Sequence, residues 1–375
     1  PWKASVEDSY IPPVVNGRDN CLWRQDWVNR PYMEGVDNHP QKRTFDLGLD
    51  FIEKNKNSDN WFLQLEAFDP HESFFVPEEF DGLYPEDYHD KHFDWPNYTM
   101  VAENEEQKKH LICKYRRLVS FCDWNLGRLL DKFDELDLWK DTLLIVNTDH
   151  GFLLGEHDWW AKCRMPFYNE IAHIPLFIWD PRSRISNERR DSLVQTIDLA
   201  PTILDFFGMQ MPENVQGKNL KNVIIDNESV HDAVLFGIHG AHVNITDGKY
   251  VYMRAPVSKD NTPLYNYTLM PMHMREIFSL KELRKMKVHE PFSFTKGCQV
   301  WQVPSFGIPE LNIDSYGFGT LLYDIDEDPE QLNPILDEQI EKKMIRRMIE
   351  LMEENDSPLE QYERLGLNKE KKCSL

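Results

Sequence analysis

Residues 142–181 read TLLIVNTDHGFLLGEHDWWAKCRMPFYNEIAHIPLFIWDP, and how this stretch is parsed decides the fold. Leu143, Leu144, Ile145 and Val146 form an apolar run that predicts a buried strand of a parallel sheet. Polarity then changes abruptly: Asn147, Thr148, Asp149 and His150 follow, and Gly151 breaks the element. A second apolar run at 174–179 predicts another core strand. In open α/β sheets, ligand chemistry collects at the carboxyl ends of strands. The residues between the two runs therefore read as an active-site loop. Neighbouring strand residues point to opposite faces, so Asp149 and His150 reach one ion only where the backbone turns, and Gly151 is expected to supply that turn.

Upstream, 61–68 (WFLQLEAF) repeats the layout, an apolar run ending in the polar cluster Asp69-Pro70-His71-Glu72-Ser73. Between the two, Leu111, Tyr115, Leu118, Cys122, Leu126, Leu129, Leu130 and Phe133 recur at spacings of three and four, predicting a helix over 103–138. A strand–helix–strand order implies a crossover and parallel strands with helices on the faces. Shorter helices are expected at 44–54 and after Asp198, which reads as an N-cap, with Pro201 in the first turn and Gly208 as the stop.

Past residue 215 the pattern shifts to short strand-like pieces at 234–238, 241–245, 250–253 and 321–325. A turn signal, Thr246-Asp247-Gly248-Lys249, separates two of them. Ile340, Met344, Ile345, Met348, Ile349 and Met352 then mark one face of a helix, a stripe that reads as core. The fold class is α/β: a mixed, mostly parallel sheet sandwiched by helices over 1–215, with a smaller α+β subdomain over 216–375.

Composition bounds the function. The chain has 375 residues and a net charge of −22, which argues against nucleic acid as a partner because phosphate contacts need clustered Lys and Arg. An anionic substrate would rely on a local basic pocket, for which Lys162, Arg164 and the histidines are the candidates. No apolar run approaches the ~20 residues that span a bilayer. The mean hydropathy of −0.59 fits a soluble globular protein. The six cysteines, Cys21, Cys113, Cys122, Cys163, Cys298 and Cys373, show no C-x-x-C spacing, so no zinc or redox motif is indicated. Sequons at Asn97, Asn227, Asn244 and Asn266 do not establish secretion, and localisation stays open.

The ordered set Asp149, His150, Gly151, Gly155, Glu156, His157 and Lys162, followed by a strand ending in Asp180-Pro181, resembles the sulfatases of the alkaline-phosphatase-like superfamily. The similarity is closest to the branch holding iduronate sulfatase and its bacterial relatives, and the D-L-A-P-T run at 198–202 extends it. The resemblance implies a sulfuric-ester hydrolase acting on a sulfated sugar. It makes Asp149 and His150 ligands of a divalent metal, with Ca²⁺ favoured and Mg²⁺ or Mn²⁺ open. Lys162 falls on the sulfate-contacting lysine, and His71 on the histidine that contacts the ester or acts as general acid. His157 and His242 are carried as substrate-binding candidates, with Glu156 and His239 as further members.

Sulfatases draw their nucleophile from a Cys or Ser in a C/S-x-P/A-x-R motif, converted to formylglycine. No such motif occurs in this chain, and the family's early Asp-Asp metal pair has no counterpart upstream of Trp61. The formylglycine is expected in an N-terminal part outside the sequence. The chain alone is expected to bind metal poorly and to hydrolyse nothing. Two alternatives stand beside this reading: a phosphonate or phosphate ester hydrolase of the same superfamily, and a non-catalytic binding chain built on the scaffold.

Overall fold

The helix expected at 103–138 forms over Glu105–Glu135 in the computed structural model of the protein, which describes residues 13–15, 21–273, 276–305 and 313–367. Numbered along the chain, the helices are α1 (Cys21–Asn29), α2 (Pro40–Asn55), α3 (Glu105–Glu135), α4 (Asn169–Ala172), α5 (Leu199–Phe206), α6 (Lys221–Asp226), α7 (Leu280–Leu283), α8 (Ser315–Phe318), α9 (Glu338–Glu354) and α10 (Leu359–Arg364). The strands are β1 (Leu144–Asn147), β2 (Leu153–Leu154), β3 (Trp160–Ala161), β4 (Leu176–Trp179), β5 (Val234–Gly237), β6 (Val243–Thr246), β7 (Tyr250–Arg254), β8 (Tyr265–Thr268), β9 (Lys287–His289), β10 (Val300–Pro304) and β11 (Leu321–Asp324). The chain divides into two units, Pro1–Thr142 with Leu153–Ala161, and Leu143–Phe152 with Lys162–Leu375.

In the first unit, α3 starts at a reciprocal cap: the Asn104 side chain accepts from the Gln107 N–H, and the Gln107 side chain accepts from the Asn104 N–H. Its 3–4 stripe buries Leu111, Leu118, Phe121, Leu129 and Phe133. Helix α2 begins four residues before the expected position because His39 caps it and Pro40 takes the first turn, where a missing N–H costs nothing. Gly48 of α2 lies against Leu65; a Cβ there would stand 2.4 Å from Leu65 Cδ2. Residues 61–68 alternate half-buried and exposed, as an extended chain does, yet they join no ladder among the described residues. The strand expected there is thus extended backbone without a paired neighbour.

A buried ion cluster fastens the segment that follows. Arg30 Nη1 donates to Asp94 Oδ2 at 2.7 Å and Nε to Asp26 Oδ2 at 2.8 Å, and the guanidinium lies 3.9 Å from the centre of the Trp27 ring. Asp26 in turn accepts from Ser73 Oγ at 3.0 Å, and the Phe74 N–H donates to the Asp94 carbonyl at 2.7 Å. Arg30 holds Asp94 well below the ordinary carboxylate range despite its burial. The backbone just after His71 is therefore anchored at two points to α1 and to Asp94.

In the second unit, β1 and β4 pair antiparallel, Leu144 opposite Trp179 and Asn147 opposite Leu176. The run at 143–146, expected in a parallel sheet, thus has an antiparallel partner in the run at 174–179, for which no direction was expected. They are joined by the site loop instead of by a crossover helix, and both strands are mostly half-buried, with Phe177 exposed. Every ladder among the described residues is antiparallel.

The pieces expected past residue 215 form one sheet in the order β11-β7-β6-β5. The hairpin turn at 246–249 is tied by Asp247 Oδ1, which accepts from the Lys249 and Tyr250 N–H groups. The methionine stripe of α9 is core, with Met344, Met348 and Met352 packed with Ile245, Tyr252 and Leu322. A second sheet, β8-β10-β9, has no counterpart in the sequence reading.

Asp198 does not cap α5. Its Oδ2 accepts from the Gln195 N–H and faces His231 Nε2 at 2.9 Å, and its Oδ1 accepts from the Lys218 N–H at 2.7 Å. It is fully buried and ties three segments together, a use that leaves no oxygen for the helix end.

Candidate active site

Asp149 and His150 follow directly on β1. Asp149 Oδ1 accepts from the His150 N–H at 2.9 Å, folding the carboxylate back on its own backbone. His150 has both ring nitrogens engaged: Nδ1 lies 2.9 Å from the Gly151 carbonyl and Nε2 lies 3.1 Å from Lys162 Nζ. A carbonyl only accepts and an ammonium only donates, so His150 is neutral with its hydrogen on Nδ1. Gly151 serves this arrangement by close approach, not by a left-handed turn. Its N–H donates to the Ile171 carbonyl at 2.9 Å, and a Cβ would fall 1.8 Å from the Glu170 carbonyl oxygen. The sequence marked the right residue; the structure gives the reason.

Lys162 is 7% exposed. Among the described residues its Nζ forms no ion pair, and its one partner is the neutral imidazole of His150. Buried ammonium groups are costly unless neutralised. Left-handed backbone flanks this lysine, with Ala161 at φ +74° and Cys163 at φ +75°, and His157 and Asp158 precede them at +54° and +59°. Four non-glycine residues in that region within seven positions make an over-determined loop of the kind that gathers at functional sites.

The loop of the first unit, 153–161, is stapled from inside. Glu156 Oε2 accepts from the Leu154 N–H at 2.5 Å, so Glu156 holds the loop. Trp160 is fully buried and its Nε1 donates to Glu103 Oε2 at 2.6 Å. Gly155, at φ +101°, approaches Lys108 so closely that a Cβ would stand 2.4 Å from Cε. His157 is half-buried on this loop.

His71 lies in the first unit, its side chain 31% exposed. Its ring lies against Phe68, tilted by 32° with centroids 4.3 Å apart. Nδ1 lies 2.5 Å from the Glu72 carbonyl and 3.4 Å from Glu72 Oε2. In the second unit, His242 is buried and its Nε2 reaches the Gly319 carbonyl at 2.8 Å, while His239 Nε2 meets Ser305 Oγ at 3.0 Å. Burial lowers the pKa of both histidines, so they sit as neutral rings. The structure brings together Asp149, His150 and Lys162; His71 and His157 belong to the other unit.

Sequence reasoning missed a buried acid next to His71. Burial pushes Asp69 up to about 7, and His39, whose Nδ1 lies 3.7 Å from Asp69 Oδ2, is pushed down to about 4 by burial. His39 Nδ1 already accepts from the Gln41 N–H at 3.4 Å, so the two meet as neutral groups. A raised folded pKa stabilises below the unfolded value and is lost as pH rises, so Asp69 erodes stability between roughly pH 4 and 7. His39, with its pKa depressed, does the opposite over much of the same window. Asp69→Asn removes only the first effect. Its stability relative to wild type should therefore improve by roughly 2–3 kcal/mol between pH 4.5 and 6.5, read from urea unfolding at both values. A difference that does not change with pH would show that Asp69 ionises normally.

A calcium shell takes about six to eight oxygens. No group of three or more His, Cys, Asp and Glu residues is placed to hold an ion among the described residues. Asp149 offers one open carboxylate, and His150 has no ring nitrogen to spare while it holds Lys162 and Gly151. Among the described residues these two do not by themselves complete such a shell. Nor do the described cysteines supply a nucleophile pair: Cys113, Cys122, Cys163 and Cys298 are unbridged, and burial pushes the Cys122 thiol up to about 12.

Comparison with known proteins places these features. The family model described as Sulfatase matches residues 15–209, and that for the C-terminal part of N-sulphoglucosamine sulphohydrolase matches 155–290. An arylsulfatase of Clostridium perfringens is 26% identical over 246 residues, covering 59% of this chain and 50% of its own length. An N-acetylglucosamine-6-O-sulfatase of Bacteroides thetaiotaomicron is 36% identical over 114 residues, 30% of this chain and 20% of its own length. The chain thus spans half or less of these relatives. A protein solved in complex with its substrate D-glucosamine-2-N,6-O-disulfate shares the fold at TM-score 0.59 and 16% identity, over 85% of this chain and 70% of that one. Among the described residues no helix is long and apolar enough to cross a membrane. The matched model covers more than half of the 375 residues, including the whole Asp149–Lys162 loop, and the chain belongs to the sulfatase family.

Proposed function

We propose that the complete protein is a sulfuric-ester hydrolase acting on a sulfated sugar. The observation that carries this reading is Lys162, a buried ammonium with no ion-pair partner among the described residues, in a chain whose net charge is −22. Such a cation attracts a small anion, and it sits in the loop that matches the family model. In this reading Lys162 binds a sulfate oxygen and neutralises charge as it builds in the transition state, while neutral His150 keeps the ammonium aimed. His71 gives a proton to the departing alcohol oxygen. His157 and His242 are proposed as further substrate contacts.

Asp149 and His150 are proposed as two of the ligands of a divalent cation, with Ca²⁺ the preferred identity, and such an ion would supply charge neutralisation at the sulfate. Formylglycine, when present in the complete protein, supplies the attacking hydroxyl. The sugar preference draws on the names of the relatives and neighbours. The boundary near residue 215 is likewise proposed as the limit of the catalytic domain.

The test is direct. The gene upstream of Pro1 should encode a C/S-x-P/A-x-R motif, and the complete protein should release sulfate from 4-nitrophenyl sulfate and from a sugar 6-O-sulfate. Absence of the motif would end the formylglycine reading. Hydrolysis of a phosphonate monoester with no sulfate release would move the chain to the phosphonate branch.

A further inference from the structure

Glu72 is 3% exposed and stands between Tyr98 and His71. Tyr98 Oη donates to Glu72 Oε1. Oε2, also buried, has no hydrogen-bond partner among the described residues and faces His71 Nδ1 at 3.4 Å. The Glu72 backbone carbonyl lies 2.5 Å from the same Nδ1. A carbonyl and a carboxylate both only accept, so Nδ1 carries a hydrogen, and Nε2 is the nitrogen left to meet a ligand. Phe68 covers one face of the ring and limits its rotation. The polypeptide is fixed on the other side by Ser73, whose Oγ donates to Asp26.

We propose that Glu72, held by Tyr98, is a positioning residue: its backbone carbonyl keeps a hydrogen on His71 Nδ1, and its carboxylate favours the doubly protonated ring for proton delivery from Nε2. The inference rests on the reading of His71 as proton donor. As an oxygen nucleophile adds to sulfur, the S–O bond to the sugar breaks and its electron pair stays on the leaving oxygen. The Nε2 proton moves to that oxygen, and imidazolium becomes neutral imidazole, still donating through Nδ1. A desolvated carboxylate beside Nδ1 favours the cation that starts this step. Acidic phenols leave without a proton, whereas sugar alcohols need one, so the contribution of Glu72 depends on the leaving group.

The experiment uses the complete protein with Glu72→Gln, which keeps the shape and removes the charge. The Glu72 backbone carbonyl still accepts from Nδ1 in this variant, so the tautomer stays and only the charge is lost. On a sugar 6-O-sulfate, kcat should fall about 10–100-fold with KM little changed, while 4-nitrophenyl sulfate turnover stays within about threefold. Tyr98→Phe should show the same selectivity at smaller size. The second readout is the ¹⁵N–¹H spectrum of His71 followed with pH: Nδ1–H in wild type and variant alike, with the second proton lost at lower pH in Glu72→Gln. Equal losses on both substrates, or no loss on either, would overturn the inference, and so would a wild-type ring protonated on Nε2 alone. If the wild type hydrolyses neither ester, the sulfatase reading fails while the ¹⁵N titration of His71 still decides the role of Glu72.

Discussion

Replacing Lys162 with methionine in the complete protein is expected to lower sulfate-ester turnover by about 10²–10³-fold, the range seen when one charge-stabilising donor is removed from a transition state. Methionine keeps the apolar stem and deletes the ammonium, so the packing around this 7%-exposed side chain is largely preserved. The fold should not suffer. An ammonium whose one partner among the described residues is an imidazole nitrogen at 3.1 Å is desolvated without a compensating carboxylate there, and removing it relieves that cost. The thermal midpoint should therefore stay level or rise while activity collapses. Lys162→Arg should recover little, because a planar five-donor fork does not replace a point charge in a site shaped for an ammonium. Unchanged turnover of 4-nitrophenyl sulfate by Lys162→Met would remove the lysine from the mechanism and withdraw the observation on which the functional reading rests.

The grouping of Lys162 with Asp149 and His150 was legible because their order and spacing stand in the sequence, and the structure brings the three together. The long helix α3 and the methionine face of α9 were legible because 3.6-residue periodicity is a local property. Strand direction is not local. An apolar run such as 143–146 looks the same in a parallel or an antiparallel pair, and only the register Leu144–Trp179 settles it. Residues 61–68 alternate like a strand, yet ladder membership depends on a neighbour that no local pattern names. The supports of the candidate site were hidden for the same reason. Arg30 and Asp94 lie 64 positions apart, and Tyr98 reaches Glu72 across 26. Glu72 itself was visible beside His71, but a glutamate next to a histidine becomes informative only once it is seen to be buried and half-satisfied.

Gly151→Ala is expected to be the most damaging single methyl group that can be added to this chain's site loop. The new Cβ would stand 1.8 Å from the Glu170 carbonyl oxygen, 2.9 Å from its carbon and 3.2 Å from Ile171 Cα. All three are backbone atoms, so no rotamer change relieves the overlap; either 149–151 or 170–171 must move. Movement breaks the Gly151 N–H bond to the Ile171 carbonyl. It also shifts the Gly151 carbonyl that orients His150, and with it the imidazole that holds Lys162. A loss of about 3 kcal/mol or more is expected, at the upper end of single-residue effects because it joins overpacking to a lost hydrogen bond. Turnover should fall even at temperatures where the protein stays folded. Gly127→Ala is the matching control: it lies inside α3 and, its own helix backbone apart, nothing among the described residues stands within 4 Å of its Cβ position, so alanine there should stabilise by about 0.5–1 kcal/mol. Thermal unfolding of the two variants side by side should move in opposite directions. If Gly151→Ala melts with the wild type and keeps its turnover, the loop does not depend on the close approach to Glu170, and the geometry assigned to His150 and Lys162 loses its support.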